Sequence, residues 1–123
     1  MEIRSYRDLK VWQLGIDLVC QVYGITKFFP KSEIYGLTSQ LQRAAVSVPS
    51  NVAEGHARGS SREFLHFLTI SLGSLAELET QLSIALHLKY VDNTVLEPVL
   101  YMCDELGKML RALQRSLKAK VEC

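Results

Sequence analysis

Cysteine is scarce in this chain of 123 residues. Cys20, Cys103 and Cys123 stand far apart, odd in number and without any Cys-x-x-Cys pair, so neither a disulfide framework nor a zinc knuckle is indicated. Cys20 and Cys103 read instead as small core residues. Long apolar runs are also missing: hydrophobic residues make up 48% of the chain, yet no stretch approaches the ~18 needed to cross a bilayer. Met1-Glu2-Ile3-Arg4 leads into alternating charged and apolar residues rather than a signal peptide, so a cytoplasmic location without membrane contact is expected. Neither sign of charge dominates. Fourteen Lys and Arg face thirteen Asp and Glu for a net +1, which excludes a uniformly basic coat but not a local patch.

Grouped chemistry is equally sparse. His56, His66 and His87 fall at unrelated spacings, and none has the Glu-x-x-His or His-x-x-x-His partner a bundle-core metal needs. Glu77 and Glu79, two apart, point in different directions on a helix and cannot act as a carboxylate pair. Ser47, Ser50 and Ser74 have no base nearby in sequence. Arg62 and His66 come nearest to the Arg/His pair of small helical ribonucleases, but the spacing is one residue too short. The expectation is a protein that is not an enzyme and needs no cofactor.

What the chain has is helical period. Leu9, Trp12, Ile16, Val19 and Tyr23 mark a first helix over residues 9–28, widened by Val11, Leu18, Val22 and Ile25 until it is nearly apolar all round. Residues 1–8 read as an arm, with Ser5 or Asp8 as the N-cap, and Phe28-Phe29-Pro30 stops the helix. A second helix, capped by Ser32, is expected over 33–56. Leu37, Leu41, Ala45, Val48 and Val52 share its apolar face, and Gln40, Arg43, Ser47, Asn51, Glu54 and Arg58 form a polar seam. Pro49 either kinks this helix or breaks it, with Asn51 capping a fresh start; the unbroken period of the seam favours a kink.

Ser60-Ser61-Arg62-Glu63 is a capping box that opens a third helix over 61–88. Its core stripe runs through Phe64, Leu68, Leu72 or Ser71, Leu75, Leu78, Leu82 and Leu86, beside a strip of small residues from His66 through Thr69, Gly73, Ala76 and Thr80 to Ser83. Thr94 with Glu97 suggests the cap of a fourth helix over 95–118, whose stripe is Val99, Cys103, Leu106, Leu110, Leu113 and Leu117. The fold class is therefore all-α: one antiparallel up-and-down four-helix bundle without strands, linkers or repeats. Helices 1 and 3 carry more apolar surface than one core requires, which points to association with copies of itself.

Two charged groups are candidate sites. Lys108, Arg111, Arg115 and Lys118 lie on one side of helix 4, with Lys120 just beyond, and Arg4, Arg7 and Lys10 can add to their field. Such a stripe is either a solvated face suited to a helix C-terminus or a phosphate-binding surface whose affinity falls with salt. Arg43, Asn51, Glu54, Arg58, Glu63 and Glu77 are candidates for a contact network between helices or subunits, against the plainer reading of surface ion pairs.

Asp8-Leu9-Lys10-Val11-Trp12-Gln13, Phe29-Pro30, Tyr35-Gly36-Leu37, the run from Gln40 to Gly55 containing Ser47-Val48-Pro49-Ser50-Asn51-Val52-Ala53-Glu54-Gly55, Glu63-Phe64 and Glu77-Leu78-Glu79-Thr80-Gln81-Leu82 follow in order. Together they resemble the four-helix-bundle proteins encoded in intervening sequences of bacterial 23S ribosomal RNA genes, over nearly the whole chain. Gln42 departs from the family, which more often has a second Arg there. The resemblance implies a bundle that assembles into a ring of five. It also implies kinship with the accessory variability protein of diversity-generating retroelements, a basic pentamer that binds nucleic acid and the reverse transcriptase.

Overall fold

In the computed structural model, which describes residues 3–122, four helices follow one another: α1 (Lys10–Thr26), α2 (Leu37–Ala57), α3 (Ser61–His87) and α4 (Asn93–Glu122). No strand occurs among the described residues. Each helix packs on its two neighbours in the cycle α1, α2, α3, α4 and back to α1, with no close backbone contact across either diagonal.

Pairs across the interfaces fix the directions. Gly15 of α1 lies against Pro49 of α2, and Thr26 bonds Gln42, so α2 descends as α1 climbs. Gly55 meets Phe64 and Phe67, whereas Ser47 meets Ser74, so α3 is antiparallel to α2. Gln114 bonds Thr69 while Gly107 touches Leu75, which makes α4 antiparallel to α3. The result is an up-and-down bundle, as three short connections demand. No helix is long and apolar enough to cross a membrane.

The core consists of the expected stripes on α2, α3 and α4. Leu41, Ala45, Val48 and Val52 meet Leu68, Leu75, Leu78 and Leu82, and Val99, Cys103, Leu106 and Leu110 close the other side. Pro49 sits inside a continuous α2. Proline removes one N–H and thickens the helix locally; opposite it α1 has Gly15, where an added Cβ would come within 3.1 Å of the proline Cβ. The bare glycine lets the two helices approach at the one place where α2 is bulkiest.

Several expectations need correction. On α1 the buried line is Val11, Gly15, Leu18, Val22 and Ile25, whereas Ile16 and Tyr23 of the expected stripe are 38% and 42% exposed. Gly15 contributes no hydrophobic signal, so the stripe was placed one step round the helix. Cys20 is exposed rather than in the core; Cys103 is buried, and Cys123 lies outside the described residues, as do Met1 and Glu2 of the arm.

The helix starts differ as well. Ser5 and Asp8 form a capping box around a short 3-10 turn, Tyr6–Asp8, before α1 begins at Lys10. Residues 31–33 form another 3-10 turn, and α2 starts only at Leu37, whose N–H is taken by the Glu33 carboxylate at 3.0 Å. Ser32 is not its cap. On α4, Asp92 accepts from the Val95 N–H at 3.0 Å, so the helix opens at Asn93, earlier than a Thr94 cap allows. A carboxylate two residues upstream displaced the weaker hydroxyl. The Ser60 cap of α3 stands as expected, with its Oγ accepting from the Glu63 N–H at 3.1 Å.

At its far end α3 closes in a Schellman turn: Tyr90 N–H reaches the Ala85 carbonyl, Lys89 N–H reaches Leu86, and Lys89 takes φ 64°. Tyr90 then donates to Glu33 at 2.9 Å, tying this turn to the start of α2. Both hydrogen bonds to the Glu33 carboxylate, from Leu37 N–H first and Tyr90 second, hold its pKa below the ordinary value, and the same carboxylate raises that of Tyr90.

Candidate nucleic-acid interface

Lys108, Arg111, Arg115 and Lys118 are all exposed on α4. They differ in how free they are. Lys108 pairs with Asp104, one turn away, at 3.2 Å, and that hydrogen bond and charge, with Glu105 nearby, raise its pKa. Among the described residues, Arg111, Arg115 and Lys118 make no ion pair with any acid, so their charge is uncompensated.

The antiparallel arrangement adds what helix 4 alone lacks. The last turns of α4 share one end of the bundle with the N-terminal turn and the α2–α3 connection. Arg4, Arg7, Lys10, Arg58, Arg62 and Lys120 therefore lie at the same end of the bundle as Arg115 and Lys118. Three acids at this end are engaged locally, Glu122 being the exception: Asp8 accepts from the Arg4 and Ser5 backbone N–H groups, and Glu54 and Glu63 flank Arg58 at 2.9 and 3.7 Å. Towards the other end the balance reverses, with Glu33, Glu77, Glu79, Asp92, Glu97, Asp104 and Glu105 against Lys27, Lys31, Arg43, Lys89 and Lys108. A net charge of +1 hides a bundle polarised along its axis.

The seam residues separate into groups. Glu54, Arg58 and Glu63 form an exposed cluster, with Arg58 also over the Phe67 ring at 5.0 Å. The Glu54 hydrogen bond is the chief cause of the raised Arg58 pKa. Asn51 is half-buried and donates to the Ser47 carbonyl and hydroxyl at 2.8 and 2.9 Å. Arg43 and Glu77 are exposed and pair with no opposite charge among the described residues. The polar links that join α2 to α3 are instead Ser47 to Ser74, at 2.8 Å, and the Ser71 hydroxyl to the Val48 carbonyl. Sequence reasoning had Ser71 only as an alternative to Leu72; its signal was a serine in phase with Leu68, Leu75 and Leu78, a polar group that needs a partner once buried.

Two of the hollows that flank α2 border the polar seam. A trough of about 570 Å³ runs along its α1 side between Tyr23 and Glu54, and one of about 330 Å³ lies on the α3 side between Gln40 and Gln81. They share Arg43 and Ser47. Neither is lined by a histidine or a cysteine: His66 packs edge-on to Phe67 at 5.4 Å on the surface, and burial, with a smaller contribution from Glu79, pushes the Cys103 thiol up to about 12. Among the described residues no three His, Cys, Asp or Glu side chains converge as metal ligands would.

Bundle, polarised charge and polar-flanked α2 together define an all-α four-helix-bundle protein with a basic end. The chain belongs to the 23S rRNA-intervening sequence protein family, whose model matches residues 7–112. Its fold is also that of a crystal structure from Bacteroides thetaiotaomicron, a protein of unknown function from the S23 ribosomal protein family. That structure has 20% identity and a TM-score of 0.78, and the match covers 85% of this chain and 97% of the other. No curated protein matches the chain.

Proposed function

We propose that this protein is a non-enzymatic, self-associating bundle that binds RNA or DNA, or a protein that handles nucleic acid such as a reverse transcriptase, through its basic end. The single observation that carries the reading is that Arg111, Arg115 and Lys118, in no ion pair among the described residues, run along α4 towards the end of the bundle that also holds Arg4, Arg7, Lys10 and Arg62. Positive groups gathered at one end attract a phosphate chain even when the whole molecule is almost neutral. The protein acts in the cytoplasm.

Self-association into a ring, with five copies as the family resemblance implies, brings several basic ends together and multiplies their field. What supports it is apolar surface exposed on the outside of the bundle: Ile16 on α1 and Ile70 and Ile84 on α3. That same surface supports a second reading, a structural interaction module with no affinity for nucleic acid. Filter binding of RNA across a salt series separates the two. The proposal expects log K to fall linearly with log salt, by about 0.7 for each phosphate contacted on a single strand. A flat or absent response removes it in favour of the structural module. A monomer by sedimentation at micromolar concentration removes the ring.

A further inference from the structure

The trough between α1 and α2 has a chemistry of its own. Tyr23 and Val46, 42% and 40% exposed, offer an aromatic and an aliphatic surface at its edge. Two amides line it, and their own hydrogen bonds fix which atom each has to spare. Asn51 Nδ2 is spent on Ser47, and Gln42 Nε2 donates to Thr26 Oγ1 at 3.1 Å, while the Thr26 hydroxyl itself donates to the Tyr23 carbonyl. Asn51 therefore keeps only its oxygen, an acceptor, for a ligand, whereas Gln42 keeps its oxygen and one N–H. Arg43 adds a guanidinium with no ion pair among the described residues. A flat ring bearing N–H donors, joined to an anionic group, answers all of these features.

We propose that this trough is a nucleotide site: the base lies against Tyr23 and Val46, its exocyclic amine donates to the amide oxygen of Asn51, and its phosphate meets Arg43. This deepens the nucleic-acid reading and rests on it, since the trough runs up α2 to Glu54, one turn from Arg58 at the basic end. A single strand held there has a path along α2. Aromatic stacking accepts any base, whereas the Asn51 oxygen, which only accepts, favours adenine or cytosine, which present an amine, over uracil, which presents carbonyl oxygens.

The test is a titration of the whole isotope-labelled chain with AMP and, separately, UMP, followed by amide chemical shifts, alongside RNA filter binding. The proposal expects saturable shifts at residues 42–51 and around Tyr23, with UMP weaker by about tenfold. Tyr23→Leu and Arg43→Gln, both at exposed positions and so folding normally, each weaken AMP by about fivefold or more. No saturable shift, equal affinity for UMP, or shifts confined to the basic end overturn it. Trough shifts that follow protein concentration instead of AMP also overturn it and assign the surface to a second copy. RNA retained while AMP is ignored removes the trough site and spares the basic end; AMP bound in the trough without RNA retention does the reverse.

Discussion

The two ends of the bundle are built from the same four helices and solve different problems. At the end formed by the α2–α3 connection and the last turns of α4, cations collect, and Asp8, Glu54 and Glu63 are tied up in a cap and in the Arg58 cluster. At the other end, Phe28, Tyr35, Ile34 and Leu88 stand in solvent, Phe28 at 81% and Tyr35 at 97%, and the backbone is secured by the Schellman turn and the link from Tyr90 to Glu33. One end is arranged around charge and the other around a local tie beside bare apolar surface. Composition averages the two away, which is why a net charge of +1 says so little about either.

The sharpest break in this contrast is the double substitution Arg111→Ala with Arg115→Ala. RNA affinity is expected to fall by tenfold or more at low salt, and the salt slope to lose about 1.4 units if both contact phosphate. Unchanged affinity in filter binding would move the binding surface away from α4. Next in size is Gly55→Ala. The new Cβ would lie 2.6 Å from Phe67 Cβ and 3.4 Å from Phe64 Cα, so α2 and α3 must part where they form the basic end. Overpacking of this kind costs about 1–3 kcal/mol, read by urea unfolding.

Lys89→Gly probes the opposite end with the opposite sign. Lys89 holds a left-handed φ of 64° that glycine adopts freely, so stability should rise by about 1 kcal/mol with RNA binding untouched. Glu33→Gln weakens the tie at the same end and removes a pH dependence. Because its folded pKa is lowered, Glu33 stabilises the fold above its unfolded pKa, and that contribution disappears as pH falls through the folded value. Thermal melts of wild type and variant should converge in acid and separate near neutrality; parallel curves would contradict the assignment. Lys108→Ala should matter least, since Asp104 already offsets its charge and exposed pairs contribute only ~0–1 kcal/mol.

Much of this architecture was legible before any coordinates. Leucine periodicity fixed the core faces of α2, α3 and α4 because large side chains carry the burial signal, and Ser60 with Glu63 marked a helix start correctly. The misses share a cause. Gly15 and Ser71 are buried yet carry no hydrophobic weight, so the phase of α1 was misplaced and a link between α2 and α3 went unread. The starts of α2 and α4 were decided by the Glu33 and Asp92 carboxylates reaching forward, which compete with nearby Ser32 and Thr94 in ways that a pattern cannot rank. The α4 stripe was visible as spacing. Its extension into a basic end required knowing which helix termini meet.

The most direct measurement is ultraviolet cross-linking of bound RNA to the wild-type protein, followed by peptide mapping. The account predicts adducts in residues 4–12 and 111–120, with any further ones along the Tyr23 trough. Adducts concentrated at Phe28, Tyr35 and their neighbours would place nucleic acid on the wrong end and contradict it.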